Sequence, residues 1–334
     1  MTNLSRPKLL LSAGALVAFA VVAATPQLLG GHVATAFGSL AGAERHWLAL
    51  GATGFVLAFV CTVGAWHAAL GAAGGRICPK QAAARLGIGA LVNAFAPAKL
   101  GDAVKIALCS KAIDGPGRLW ATGGVYAGLG AARSLALAGL LVVASLVGAM
   151  PLWPVFVLFG VVGVFAAAAA LSGRLRRHPR IAQVLGGFAA LERSPRALAA
   201  VLAWTVGMLL SRLCATVAIA ASLGLPHPVL AGFLILPALD LAAAFPITPG
   251  SLGVGSGAVA VALSSQGIGM TQALSVGFAI QALETLVSIS VGAAGALYLA
   301  RLTPAVRRWT LRVATVGASA GLAAGLSLFV FDLL

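Results

Sequence analysis

Four charged side chains, Arg133, Arg212, Asp240 and Glu284, stand inside apolar stretches of this chain. A charge at mid-bilayer costs between about 3 and more than 10 kcal/mol, so such a residue must face a partner or a wet cavity. Guanidinium matches phosphate oxygens with two parallel hydrogen bonds, which makes Arg133 and Arg212 candidates to hold an anionic head. The alternative for each is a structural ion pair with Glu284 or Asp240. Arg212 is also close enough to the start of its apolar stretch to snorkel. The two acids are candidates for reversible protonation, or are carboxyls satisfied by backbone.

Two segments rich in Pro and Gly supply the remaining candidates. The first, Asn93-Ala94-Phe95-Ala96-Pro97-Ala98-Lys99-Leu100-Gly101-Asp102, continues to Lys105. Lys99 and Lys105 bring positive charge, Pro97 and Gly101 free backbone groups, and Asp102 can pair with either lysine at a spacing of three. The second runs from Pro246 through Thr248, Pro249, Gly250 and Gly253 to Gly257 and carries no charge. It offers backbone amides, the Thr248 hydroxyl and a hinge. A charged interfacial turn and a kinked helix pair are the plainer readings of the two. Pro- and Gly-interrupted apolar segments at matching places in two halves point to a transporter's binding site. Arg133 lies 36 positions after Pro97 and Glu284 lies 35 after Pro249.

The elements that position these groups must be membrane helices. Of 334 residues, 60% are hydrophobic and 9% charged, and the mean hydropathy is +1.04. Soluble domains carry about a quarter charged residues. The expected fold is an all-α polytopic membrane protein in one domain, residues 1–334, with approximate halves 1–171 and 172–334. About seven spans are expected near 9–29, 47–70, 119–149, 151–171, 197–223, 270–299 and 312–332. Two broken segments, about 83–112 and 229–266, read as re-entrant in an inverted repeat, or as pairs of short spans. The first apolar run has basic residues ahead of it but lacks a clear cleavage site, so it reads as a retained helix. The stretch 172–196 is basic with some amphipathic character, suited to the inner membrane surface or to a solvated connector.

Placing the N-terminus in the cytoplasm puts all but three of the 22 Lys and Arg inside. Arg45 falls outside, and Arg133 and Arg212 fall within spans. Cytoplasmic loops accumulate basic residues, which supports this orientation. It also accounts for the net charge of +15 without a nucleic-acid partner, since no basic run is long or interleaved with aromatics. Cys61, Cys78, Cys109 and Cys214 form no metal-ligand spacing or disulfide framework. No nucleophile elbow, Walker loop or HExxH occurs, so neither catalysis nor a metal or cofactor is expected.

The first motif resembles an N-x-x-x-P-x-R-x-G-E-x-x-R signature, and Pro246-Ile247-Thr248-Pro249-Gly250-Ser251-Leu252-Gly253-Val254 resembles P-x-T-P-G-G-L-G-V. Both are signatures of the transmembrane, flippase-like domain of lysylphosphatidylglycerol synthases and its stand-alone relatives, and the resemblance runs from about residue 9 to 330. Lys99, Asp102 and Lys105 replace two arginines and a glutamate of the first signature, and lysine lacks the guanidinium fork. Ser256 stands near where an acid often follows the second signature, and Glu284 where a basic residue is common.

The resemblance implies a bacterial inner-membrane protein of lipid traffic without a synthase domain. Combined with the residues, it leads to the expectation of a non-enzymatic flippase for an anionic lipid. The lipid would be an aminoacyl- or otherwise modified phospholipid, or a polyprenyl-phosphate-linked sugar. The expected substrate-binding residues are Asn93, Pro97, Lys99, Gly101, Asp102, Lys105, Arg133, Arg212, Thr248, Pro249, Gly250 and Gly253. Asp240 and Glu284 are the proton-coupling candidates. The alternatives are a scaffold for a glycosyltransferase or lipid synthase, and a small-solute secondary transporter. A lipid-modifying partner enzyme and a homo-oligomer stay open.

Overall fold

Proline and glycine punctuate a long supply of helix-forming residues, and the helices start and stop where they stand. The computed structural model describes residues 43–96, 100–115, 117–148, 193–244 and 253–302. Within them run α1 (Arg45–Ala72), α2 (Pro79–Phe95), α3 (Leu100–Cys109), a 3-10 turn (Ser110–Ala112), α4 (Arg118–Leu146), α5 (Pro195–Ser222), α6 (Pro228–Ala244), α7 (Val254–Ser264) and α8 (Met270–Leu302). No strand occurs among the described residues. The expected spans 9–29, 151–171 and 312–332, and the basic stretch up to residue 192, lie outside them.

Pro79, Pro195 and Pro228 each occupy the first helical position, where the missing N–H costs nothing and φ is already set. Lys80 and Arg85 therefore lie within α2. α2 ends at Phe95, and Ala96 is extended at φ −95°, ψ 137°. That is the conformation a residue before proline prefers, and Pro97 follows. Gly253, at φ 89°, opens α7 and accepts the Gly257 N–H at 2.8 Å. A side chain there would be strained.

α1, α4, α5 and most of α8 are long and apolar enough to cross a membrane, in agreement with four of the expected spans. They are apolar around their whole circumference, with Leu57, Leu135, Leu210 and Leu297 half exposed or more. Such surfaces suit lipid and would be a liability in water.

The element order repeats. Helices of 28, 17, 10 and 29 residues (α1 to α4) are followed by helices of 28, 17, 11 and 33 (α5 to α8). Corresponding helices start 150, 149, 154 and 152 residues apart. The turns repeat as well. Gly74 and Gly224, both at positive φ, follow α1 and α5, and the next N–H bonds back to Leu70 O at 2.8 Å and Ala220 O at 3.2 Å. This is the six-to-one bond of a Schellman cap.

The chain forms two compact units whose boundaries fall inside α1, α4, α5 and α8, so neither coincides with a sequence half. One, the Arg212 unit, is built from Leu209–Thr285 with the described parts of Met1–Ala58 and Leu137–Gly160. Its core buries Ile219, Ile235, Leu236, Leu263 and Ile280. The other, the Arg133 unit, is built from Phe59–Ala136 with the described parts of Val161–Met208 and Leu286–Leu334. Val63, Trp66, Leu70, Leu86, Val125 and Val201 pack its core. Within it α2 meets α8 through small residues. A Cβ on Gly87 or Gly295 would strike the backbone of Val291 or Ala84. Small residues let helix backbones approach where lipid offers no hydrophobic drive to associate.

Candidate functional site

In the Arg133 unit four helix faces converge on a cavity of about 180 Å³. α1 contributes Thr62, Ala65 and Trp66, α3 Asp102 and Lys105, α4 Tyr126, Leu129, Gly130 and Arg133, and α5 Thr205 and Met208. Counted from the first of them on each helix, these residues follow at three, four or seven positions, the spacing of a single face. The wall is therefore mixed: apolar side chains with hydroxyls, a phenol, a carboxylate and two cations.

Asp102 ties three helices together. Its Oδ1 accepts from Asn93 Nδ2 of α2 at 2.9 Å and from Lys105 Nζ at 2.8 Å, and its Oδ2 accepts from Tyr126 OH of α4 at 2.8 Å. It also sits in the first turn of α3, where the partial positive charge of the helix end favours a carboxylate. The Lys105–Asp102 pair is four-fifths enclosed, so each side chain offsets the other's loss of water. Trp66 braces the phenol, the ring centroids lying 6.1 Å apart. Thr205 donates to Val201 O at 2.7 Å, which leaves its oxygen lone pairs for the cavity.

Gly101 sets the crossing of α2 and α3. A Cβ there would overlap the Gly89 carbonyl oxygen and the Asn93 side-chain amide, and a Cβ on Gly89 would meet Lys105. Only glycine brings the two backbones close enough for Asn93 to reach Asp102.

Among the described residues the cavity wall carries one carboxylate, Asp102, and two cations, Lys105 and Arg133. Asp102 pairs with Lys105. Arg133 is the sixteenth of the 29 residues of α4, near the middle of a helix about 43 Å long.

The Arg212 unit holds the other intramembrane charges. Arg212 Nη1 lies 3.1 Å from Glu284 Oε1, and Nη2 donates to Oε2 at 3.5 Å. The two oxygens thus face the fork. Asp240 lies within electrostatic reach of the same guanidinium. Arg212 is 16% exposed and sits 17 residues into α5, so it pairs within the protein instead of snorkelling.

The expected site residues thus fall into two groups. Asn93, Gly101, Asp102, Lys105 and Arg133 come together in one unit, and Arg212, Asp240 and Glu284 in the other. Gly253 caps α7. Pro97, Lys99, Thr248, Pro249 and Gly250 lie outside the described residues. The sequence reading missed Thr62, Trp66, Tyr126 and Thr205. Tyr126 could have been found, being one of only two tyrosines and two helical turns before Arg133.

These helices define a multi-pass, all-helical membrane protein. The chain belongs to the family described as the lysylphosphatidylglycerol synthase TM region, whose model matches residues 8–292 and so covers both broken motifs and all four intramembrane charges. No curated protein matches it.

Proposed function

We propose that this protein is a non-enzymatic translocase that carries the anionic head of a lipid across the bacterial cytoplasmic membrane. The observation that carries the proposal is the cavity of the Arg133 unit, a small space lined by Arg133, Lys105, two threonines and Tyr126 and set in an apolar helical frame. Its volume, about 180 Å³, is below the range of roughly 300–1,000 Å³ typical of pockets that enclose a drug-sized ligand. It suits a phosphate-bearing head whose acyl or prenyl chains stay in the bilayer. Arg133 and Lys105 attract the phosphate, the Thr62 and Thr205 hydroxyls and the Tyr126 phenol orient it, and Asp102 positions Lys105 and Tyr126. The lipid is an aminoacyl- or otherwise modified phospholipid, or a polyprenyl-phosphate-linked sugar, made or used by a partner enzyme.

In this reading the N-terminus is cytoplasmic, as the distribution of basic residues favours. The α2–α3 and α6–α7 hairpins are re-entrant from opposite faces, which makes the repeated element order an inverted repeat. Helices of 10 and 11 residues are about 15 Å long, half of a hydrocarbon core of about 30 Å.

The test is mass spectrometry of lipids that co-purify with the detergent-extracted protein, wild type beside Arg133→Ala. One anionic or polyprenyl lipid enriched in the wild type and lost in the variant is the expected result. A bulk-lipid profile unchanged by the substitution would overturn the proposal in favour of a scaffold or a small-solute transporter.

A further inference from the structure

One end of the Arg133 unit gathers basic side chains from several elements. The stretch after α1 is tied to the 3-10 turn after α3, since the Arg76 N–H donates to Ala112 O at 2.9 Å. A Cβ on Gly75 would meet the same carbonyl. α2 begins at Pro79 and α4 at Arg118, a few residues from this contact. The charged residues here are Arg76, Lys80, Lys111, Asp114 and Arg118, all exposed. Four cations thus stand with one acid, and none of the five forms an ion pair among the described residues. Leu119 and Trp120, next to Arg118, are exposed as well. Basic residues beside an exposed Trp at the end of a membrane-length helix mark the depth of lipid headgroups.

Arg85 stands deeper. It is the seventh residue of α2, about 9 Å along the axis from Pro79. The residue is half-buried, and its Nη1 is enclosed without a hydrogen-bond partner among the described residues. It forms no ion pair among them either. Arg85 and Lys105 both lie within electrostatic reach of Cys109, which follows Lys105 by one turn of α3. Lys105 has Asp102 as its partner and lines the cavity, whereas Arg85 has no acid of its own. α3 therefore gives an order in depth: Lys111 at its outer end, then Arg85 beside Cys109, then Lys105. An enclosed guanidinium without an acceptor is stabilised by an anion brought from outside, and its fork fits phosphate oxygens.

We propose that Arg85 holds the phosphate of an anionic phospholipid in the leaflet at this end of the unit, and that this lipid is the one handed on to Lys105 and the cavity. Arg76, Lys80 and Lys111 draw the headgroup in, and the apolar surface beside Arg118 keeps the acyl chains in the bilayer. The site itself stands on the cations described here. The hand-over rests on the translocase reading above, in whose orientation this leaflet is the cytoplasmic one. A soluble anion would have no use for the exposed Leu119 and Trp120, so the occupant is a lipid.

Two measurements test the site and the hand-over separately. The first is native mass spectrometry of the full-length protein in detergent, titrated with phosphatidylglycerol. Arg85→Gln should weaken one binding event about tenfold, Arg85→Lys should weaken it less, and Arg133→Ala should keep it. If Arg85→Gln does not fold, Arg76→Gln with Lys80→Gln carries the test, at about a fivefold loss for each charge removed. Binding unchanged in these variants, equal binding of phosphatidylcholine, or displacement by inorganic phosphate would overturn the site. The second follows fluorescently tagged phosphatidylglycerol across phosphatidylcholine vesicles that hold the protein. Arg85→Gln should slow its movement about fivefold or more when the tagged lipid is scarce, and the difference should shrink as its share of the membrane rises. Movement unaffected by Arg85→Gln at every share would overturn the hand-over. Absence of movement in the wild type overturns the translocase reading and the hand-over with it, and the binding titration then judges the Arg85 site alone.

Discussion

The two units present the same helix sequence with different side chains at corresponding places. Arg133 on α4 and Glu284 on α8 are 151 residues apart, and Thr62 on α1 and Arg212 on α5 are 150 apart. These spacings match the repeat to within one residue, so the two pairs occupy corresponding places. In the Arg212 unit those places hold an ion pair at 3.1 Å. In the Arg133 unit they hold a cation and a hydroxyl on the wall of a cavity. An ion pair fills one set of places, and a cavity opens beside the other. The lesson is that a repeat can keep its backbone plan while the side chains at equivalent positions diverge.

The largest expected effect separates the two arginines. Removing one partner of an enclosed pair strands the other charge, which costs about 3–5 kcal/mol. Arg212→Ala should therefore lower the thermal stability of the detergent-solubilised protein sharply, and Arg212→Met with Glu284→Leu should recover most of it. Arg133→Ala should remove lipid retention, which Arg212→Met with Glu284→Leu should keep. Retention lost equally in both would erase the distinction.

A second contrast lies in the hairpins. Gly101→Ala forces a Cβ into the Gly89 carbonyl and the Asn93 amide, an overpacking worth about 1–3 kcal/mol. Gly257 in α7 has open space where a Cβ would stand, so Gly257→Ala should be neutral or stabilising by up to about 1 kcal/mol. Denaturation midpoints of the two variants check both signs.

Asp102 screens the cavity as well as bracing it. Asp102→Asn removes the one acid among the described residues of the wall and should tighten binding of short-chain phosphatidylglycerol by roughly fivefold, about 1 kcal/mol. Its salt dependence should steepen. Weaker binding in a fluorescence titration would show that the bracing outweighs the screening. The smallest effect is expected for Tyr126→Phe, which deletes one of the three side-chain donors to Asp102 at about 0.5–1.5 kcal/mol. A double-mutant cycle with Asn93→Ala measures whether the donors act together.

Composition and local punctuation determined much of this protein. Hydropathy alone makes it a helical membrane chain, because backbone groups in lipid must bond within their own segment. Pro79, Pro97, Pro228 and Gly253 set helix limits through φ and steric rules that act over one or two residues. The sequence also named the four intramembrane charges and the Asn93 to Lys105 motif. Only the tertiary structure decided which groups meet. Arg212 finds Glu284 across 72 residues and Tyr126 finds Asp102 across 24. The helices that carry Arg212, Glu284 and Tyr126 are apolar all round, so no amphipathic stripe in their sequences says which way each is rotated. Rotation is set by close packing at residues such as Gly51, Gly54 and Gly87. That packing depends on partners far along the chain, and it turns Arg133 toward a cavity and Arg212 toward a carboxylate.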